Sequence, residues 1–291
     1  MNSDDDIKIL MQTLGKDAKK ASETLALSTS VQKNAALIAA ASAIREARAD
    51  ILIANKKDMD IAEGRGLTGA MLDRLLLDDE RVEAIAQSIE DIKKLEDPIG
   101  GILETKTRPN GLKISKVRVP LGVIGVIFES RPNVTADAGV LCLKSGNASI
   151  LRCGSESANS SRAIHTCLVK GLKEAGLPET TIQLIPTQDR AAVGELLRLS
   201  DYVDIIVPRG GKSLIERVQN DSRVPVMAHL DGICHIYVDE YADLDKAVAI
   251  TVNAKLRRTG ICGSAETLLI DQKIAKRHMP TILRALDEKG C

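Results

Sequence analysis

After Pro120 the chain runs through four short, almost wholly apolar segments, 122–128, 148–152, 181–185 and 203–207. Helical patterns separate them, over about 133–145, 157–175 and 190–199, with one more after Gly211. A strand without a polar face has to be covered on both sides, and a parallel sheet flanked by helices supplies that cover. The expected architecture is therefore α/β. Pro225 opens a second series, with strands over 226–230, 234–238 and 267–270 and helices over about 244–256 and 272–288. A boundary near 222–225 then divides the chain into residues 1–224 and 225–291.

The first hundred residues read differently. Ile7, Leu10, Met11, Leu14, Ala18 and Ala21 fall three or four apart, which marks one face of a helix. Further helices are expected over about 31–48, 50–63, 69–75 and 82–95, with Thr68 capping the segment from Gly69 and Asp78 or Asp79 the one from Val82. Between 101 and 119 the period drops to two on either side of Arg108-Pro109-Asn110-Gly111, where Asn-Gly is the strongest short-range hairpin signal. A charged two-stranded ribbon is not stable alone in water, so it should pair with another part of the chain or with a second subunit.

Composition narrows the task. Forty Lys and Arg balance forty Asp and Glu with no basic block, which argues against nucleic acid or a membrane surface as partner. Phe128, Tyr202, Tyr237 and Tyr241 are the only aromatic residues, too few to stack a single strand. The longest nearly unbroken apolar stretch, 119–128, is far short of the roughly 20 residues of a membrane helix. The start Met1-Asn2-Ser3-Asp4-Asp5-Asp6 is acidic where a secretory signal is basic, so the expected location is the cytoplasm. Six cysteines without a CxxC pair read as reduced thiols, and no metal site is expected. A small molecule is the expected partner.

Four places could carry chemistry. Pro208-Arg209-Gly210-Gly211-Lys212-Ser213 joins a strand to a helix, where free N–H groups and the helix dipole suit a dinucleotide pyrophosphate; it also suits an ordinary turn. A second such turn follows 148–152, and its Arg152 could meet a ribose or its 2′-phosphate, or simply be solvated. Cys262 lies between Gly260 and Gly263 and near Arg257 and Arg258, where glycines allow close approach and guanidiniums favour a thiolate. The alternative is a buried, inert thiol, which is the reading for Cys142, Cys167 and Cys234. Asn133 falls at a helix start, where capping is its usual role and donation to an oxyanion the functional one. His229 and His235 read as structural.

The stretch Pro120-Leu121-Gly122-Val123-Ile124-Gly125-Val126-Ile127-Phe128-Glu129-Ser130-Arg131-Pro132-Asn133-Val134-Thr135 closely resembles the signature of the gamma-glutamyl phosphate reductases, within the aldehyde dehydrogenase superfamily. The resemblance continues through Leu143-Lys144-Ser145-Gly146-Asn147-Ala148, Pro208-Arg209-Gly210-Gly211, Cys234-His235-Ile236-Tyr237-Val238-Asp239, and Cys262 with Glu266-Thr267-Leu268-Leu269. It implies an aldehyde dehydrogenase-like α/β fold with a Rossmann-like cofactor domain, an incomplete catalytic domain and a β-hairpin oligomerisation ribbon. It also implies NADPH-dependent reduction of L-glutamyl 5-phosphate to L-glutamate 5-semialdehyde in proline biosynthesis.

By the same resemblance Cys262 is the nucleophile and Asn133 the oxyanion donor. Arg152, Ser155, Pro208, Arg209, Gly210 and Gly211 would hold NADP, while Arg131 and Arg258 are chemically suited to the substrate. The stretch His229-Leu230-Asp231-Gly232-Ile233-Cys234 lacks the Glu with which hydrolytic relatives activate water, leaving Asp231 as a shorter substitute and favouring the phosphorylating reaction. The alternatives are a non-phosphorylating aldehyde dehydrogenase and a catalytically incomplete nucleotide-binding fragment. The resemblance also implies a chain that stops inside the catalytic domain, hence one expected to be inactive or weakly stable. The full-length protein is expected to be a homo-oligomer.

Overall fold

The computed structural model describes residues 4–229, 232–259 and 261–291. The chain divides into two compact units, Met1–Ala228 and His229–Cys291. Of the acidic start, Met1–Ser3 lie outside the described residues.

Five helices open the first unit: α1 (Asp4–Ala26), α2 (Ser30–Glu46), α3 (Arg48–Gly64), α4 (Ala70–Leu75) and α5 (Asp79–Lys94). Thr29 and Gln32 cap each other's backbone at the start of α2, and the Asp78 side chain accepts the Arg81 N–H at the start of α5. The start of α4 departs from the sequence reading. Gly69 holds the cap position instead of Thr68, with φ of 55° and no side-chain cap, because the chain turns there through a left-handed residue that glycine adopts at little cost.

The hairpin forms as expected, with β1 (Ile102–Thr107) antiparallel to β2 (Lys113–Val117) and the Thr105 and Ser115 hydroxyls 2.9 Å apart. Every residue of both strands is exposed, Ile102, Leu103 and Ile114 included.

The rest of the unit alternates: β3 (Val123–Phe128), α6 (Val134–Lys144), β4 (Ala148–Arg152), α7 (Ala158–Glu174), β5 (Ile182–Leu184), α8 (Ala191–Leu196), β6 (Ile205–Arg209) and α9 (Lys212–Asp221). The four strands are parallel in the order β5-β4-β3-β6. From β3 the chain steps outward to β4 and β5, then returns to the other side of β3 for β6. Open α/β sheets bind their ligands at such a reversal, outside the carboxyl ends of the strands.

Helices cover both faces, as the apolar runs require. Val123, Ile127 and Ile150 share a core with Ile7, Met11 and Ala18 of α1 and Leu196 of α8. Val126, Phe128 and Leu151 share the opposite core with Leu37, Ile89, Val140 and Leu168 from α2, α5, α6 and α7. Each fully buried side chain of this size contributes about 1.5–3 kcal/mol.

The strand expected over 226–230 does not form among the described residues, and Leu230 lies outside them. Val226 makes a single parallel bridge with Ile206 on the outer edge of β6. There the Ile206 N–H donates to the Pro225 carbonyl and the Met227 N–H to the Ile206 carbonyl, both at 2.8 Å. The next rung would need an N–H from residue 208, which is proline, so the ladder stops.

The second unit holds β7 (Cys234–Val238), α10 (Leu244–Leu256), β8 (Ala265–Ile270) and α11 (Gln272–Asp287), with β7 and β8 parallel. Asp243 caps α10 and Asp271 caps α11, and Val238, Ala247, Ile274 and Ile282 form the core. No helix among the described residues is long and apolar enough to cross a membrane. No group of three His, Cys, Asp or Glu among them could hold a metal ion.

Candidate functional site

Adjacent strand ends gather the expected residues of the first unit. Ile127 pairs with Arg152 and Phe128 with Arg209, so the loops carrying Arg131 and Asn133, Arg152 and Ser155, and Arg209 to Gly211 all leave one edge of the sheet. Pro208 is buried inside β6 opposite Ile127 and belongs to the ladder, one residue before the turn.

At the reversal between β3 and β6, the Gly211 N–H donates to Glu129 Oε2 at 3.0 Å, and the Glu129 N–H donates to the Arg209 carbonyl at 3.3 Å. Glycine at 210 makes room, since a Cβ there would stand 2.5 Å from that carboxylate oxygen. An exposed carboxylate thus rests at the start of α9, the position a ligand phosphate would take.

The turn after β4 is closed from below. Asp58 of α3, fully buried, accepts the Asn159 N–H at 3.1 Å and Nδ2 at 2.8 Å, and the Ser160 N–H at 2.8 Å and Oγ at 2.6 Å. This carboxylate caps α7 and takes its first amides. At the end of β4, Arg152 is only 7% exposed and donates from its two terminal nitrogens to the side-chain and backbone oxygens of Gln188, at 3.0 and 3.1 Å. Its Nε is buried without a partner among the described residues. Burial lowers the guanidinium pKa, against the opposing pull of Cys153, Glu156 and Asp189. A guanidinium held by a neutral amide keeps its charge available for an anion. Ser155 Oγ, nearby, accepts from Arg65 at 3.3 Å.

Ser130 is the non-glycine residue with positive φ among the described ones, at 51°. Its N–H and Oγ both donate to Glu156 Oε1, at 2.6 and 3.0 Å, which clamps the loop after β3 to the turn after β4. Arg131 follows, half-buried. Asn133 does not cap α6, contrary to its usual role: its backbone is already helical, and its Nδ2 donates to Asp137 Oδ2 at 2.8 Å. Ser88 Oγ reaches the other oxygen of the same carboxylate at 3.2 Å. Burial raises the Asp137 pKa, opposed by those two hydrogen bonds and by the charge of Arg209. The amide nitrogen of Asn133 carries two hydrogens, and the bond to Asp137 fixes its plane while using one.

In the second unit Cys262 is exposed on the loop between α10 and β8. Ser264 secures that loop, its N–H donating to the Ile261 carbonyl at 3.1 Å and its Oγ to the Lys255 carbonyl at 2.9 Å. Arg258 is exposed on the same loop, while Gly260 and the candidate Asp231 lie outside the described residues. Cys142, Cys153 and Cys167 are buried, and burial pushes the thiols of Cys142 and Cys167 up to about 12 and about 11. Cys234, expected buried, is half-buried at the amino end of β7, where the strand has only begun to be covered. His229 and His235 are exposed, the latter with Nδ1 2.7 Å from the Ile233 carbonyl.

Sequence reasoning missed Glu129, Glu156, Asp137 and Asp58, whose partners are 82, 26, 4 and 101 or more residues away. One signal was available for Asp58. It shares the buried stripe Ile51, Asn55, Asp58 and Ala62 of α3, where a carboxylate must find donors.

The aldehyde dehydrogenase family model matches residues 11–289. A gamma-glutamyl phosphate reductase of Rhodospirillum rubrum is 58% identical over 99% of this chain and 67% of its own length. The crystal structure of a gamma-glutamyl phosphate reductase from Thermotoga maritima superposes with a TM-score of 0.90 at 41% identity, covering 96% of this chain and 68% of that one. An acetylating aldehyde dehydrogenase from Geobacillus thermoglucosidasius shares the fold, with a TM-score of 0.69 at 19% identity over 100% of this chain and 60% of its own.

Proposed function

The chain belongs to the aldehyde dehydrogenase family and, within it, to the gamma-glutamyl phosphate reductases, and from that premise we propose that it serves the NADPH-dependent reduction of L-glutamyl 5-phosphate to L-glutamate 5-semialdehyde and phosphate, a step of proline biosynthesis in the cytoplasm. One observation carries the reading: the thiol matching the family nucleophile, Cys262, is exposed on a loop while Cys142, Cys153 and Cys167 are sealed in the core.

The Cys262 thiolate attacks the acyl phosphate carbonyl, a C–S bond forms, the C–O bond to phosphate breaks, and a thioester remains on the protein. By the family match Asn133 is the candidate oxyanion donor, and its amide keeps a second hydrogen for that role while Asp137 holds the amide plane. A nicotinamide cofactor, when bound, supplies the hydride for reduction of the thioester.

The residues present fit that cofactor. The start of α9 accepts an anion, as the Glu129 contact at Gly211 illustrates, and the buried Arg152, whose Nε has no partner among the described residues, suits the ribose 2′-phosphate. Arg209, Gly210 and Ser155 line the same edge, Pro208 supports the turn from within β6, and Arg131 and Arg258 are the candidates for the substrate carboxylate. The exposed ribbon of β1 and β2 supports a homo-oligomer in the whole protein.

The test is phosphate-dependent formation of NADPH from glutamate 5-semialdehyde and NADP, compared with Cys262→Ala. The variant should lose turnover, and iodoacetamide should label Cys262 fastest and be slowed by substrate. Phosphate-independent oxidation would replace this reading with a non-phosphorylating dehydrogenase. Equal labelling of all thiols would remove Cys262 as nucleophile and leave a nucleotide-binding fragment.

A further inference from the structure

The amino end of β7 lies against the peptide of Cys262. Cys234 Sγ is 3.3 Å from the Cys262 carbonyl oxygen. Glycine at 232 permits the approach: a Cβ there would overlap the Cys262 carbonyl and would stand 3.8 Å from Cys234 Sγ. The strand register agrees, since Cys234 pairs with Ala265, three residues beyond Cys262. The Cys262 loop therefore comes back over the start of β7. A disulfide closes when the two Cβ atoms stand about 3.5–4.5 Å apart, and a sulfur already touching its partner's peptide has a short distance to cover.

We propose that Cys234 is a resolving thiol for Cys262, so that the pair is a site of reversible oxidation by a peroxide. The Cys262 thiolate attacks one peroxide oxygen, the O–O bond breaks, and a sulfenic acid and hydroxide result, the hydroxide becoming water with the proton the thiol had released. The Cys234 sulfur then attacks that sulfenic sulfur, an S–S bond forms, the S–O bond breaks, and the departing hydroxide leaves as water with the Cys234 proton. In sum two thiols lose two electrons and two protons, and one peroxide becomes two waters. Thiol reductants reverse the disulfide by exchange. Pairing needs only the geometry of the second unit; its consequence, a nucleophile masked and spared from irreversible oxidation, rests on the function proposed above. Cys142, Cys153 and Cys167 are buried and out of reach of this chemistry, while Cys291 is exposed and has to be removed from the test.

The experiment treats the Cys291→Ser protein with hydrogen peroxide, blocks free thiols, and maps unreduced peptides by mass spectrometry. The expected product joins the peptides of Cys234 and Cys262 and disappears with dithiothreitol. In Cys234→Ala and, as a check on folding, Cys234→Ser, the joined peptide should vanish and sulfinate at Cys262 should rise about tenfold. Equal sulfinate with and without Cys234, or a disulfide from Cys262 to another cysteine, overturns the proposal. Iodoacetamide labelling of untreated protein reads the nucleophile separately. A joined peptide with slow labelling at Cys262 keeps the thiol pair and removes the catalytic reading; fast labelling without the joined peptide does the reverse.

Discussion

The turns at 152–156 and 208–213 read alike, each a strand passing through glycine into a helix at the same edge of one sheet, and they differ in what occupies the helix start. Asp58 sits under α7 with no exposure and four hydrogen bonds, whereas Glu129 reaches Gly211 through one exposed bond. A carboxylate sealed in the core cannot leave, because its four donors would be stranded without water. One on the surface exchanges freely for another anion. Glycine and a helix start are therefore an incomplete signal for a phosphate seat. The helix dipole of α7 is committed to the fold and that of α9 is open to a ligand.

Three substitutions probe the contrast. Asp58→Ala should cost about 3 kcal/mol, since a helix cap is lost and buried donors lose their acceptor; urea melts measure it, and a wild-type midpoint would show that the α7 carboxylate is dispensable. Arg152→Met should reduce the preference for NADP over NAD about tenfold, or about 1.4 kcal/mol in calorimetric binding, and should lower unfolding stability by about 1–3 kcal/mol because the two hydrogen bonds to Gln188 are lost. Unchanged selectivity would detach Arg152 from the 2′-phosphate. Glu129→Ala should tighten NADP binding about two- to fivefold, the scale of one exposed charge at a helix end. Weaker binding would instead identify Glu129 as a ligand contact.

Much of the architecture was legible because it is local. The unbroken apolar runs located β3, β4 and β6 within one or two residues, Asn110-Gly111 located the hairpin, and Asp78, one of the two candidates, caps α5. What escaped depends on partners distant in sequence or on a rung between strands. Nothing near 226–230 announces that Pro208 ends its ladder, and nothing near Ser160 announces Asp58. Asn133 was found as a residue but its hydrogen bond was not: a side chain that could cap its own helix turns to Asp137 one turn later. The same holds for Cys234, whose apolar neighbours suggest burial and whose actual contact is the carbonyl of residue 262.

Pro208 has an effect beyond local pairing. β6 borders the sheet, and an open border is where foreign chains add strands and aggregates begin to grow. After one rung with residues 225–227 this border presents a ring in place of a hydrogen-bond donor, so an intruding segment could not zip along it. The imino acid thus denies strand addition a donor along this border, and it does so from a buried position that surface redesign would leave untouched.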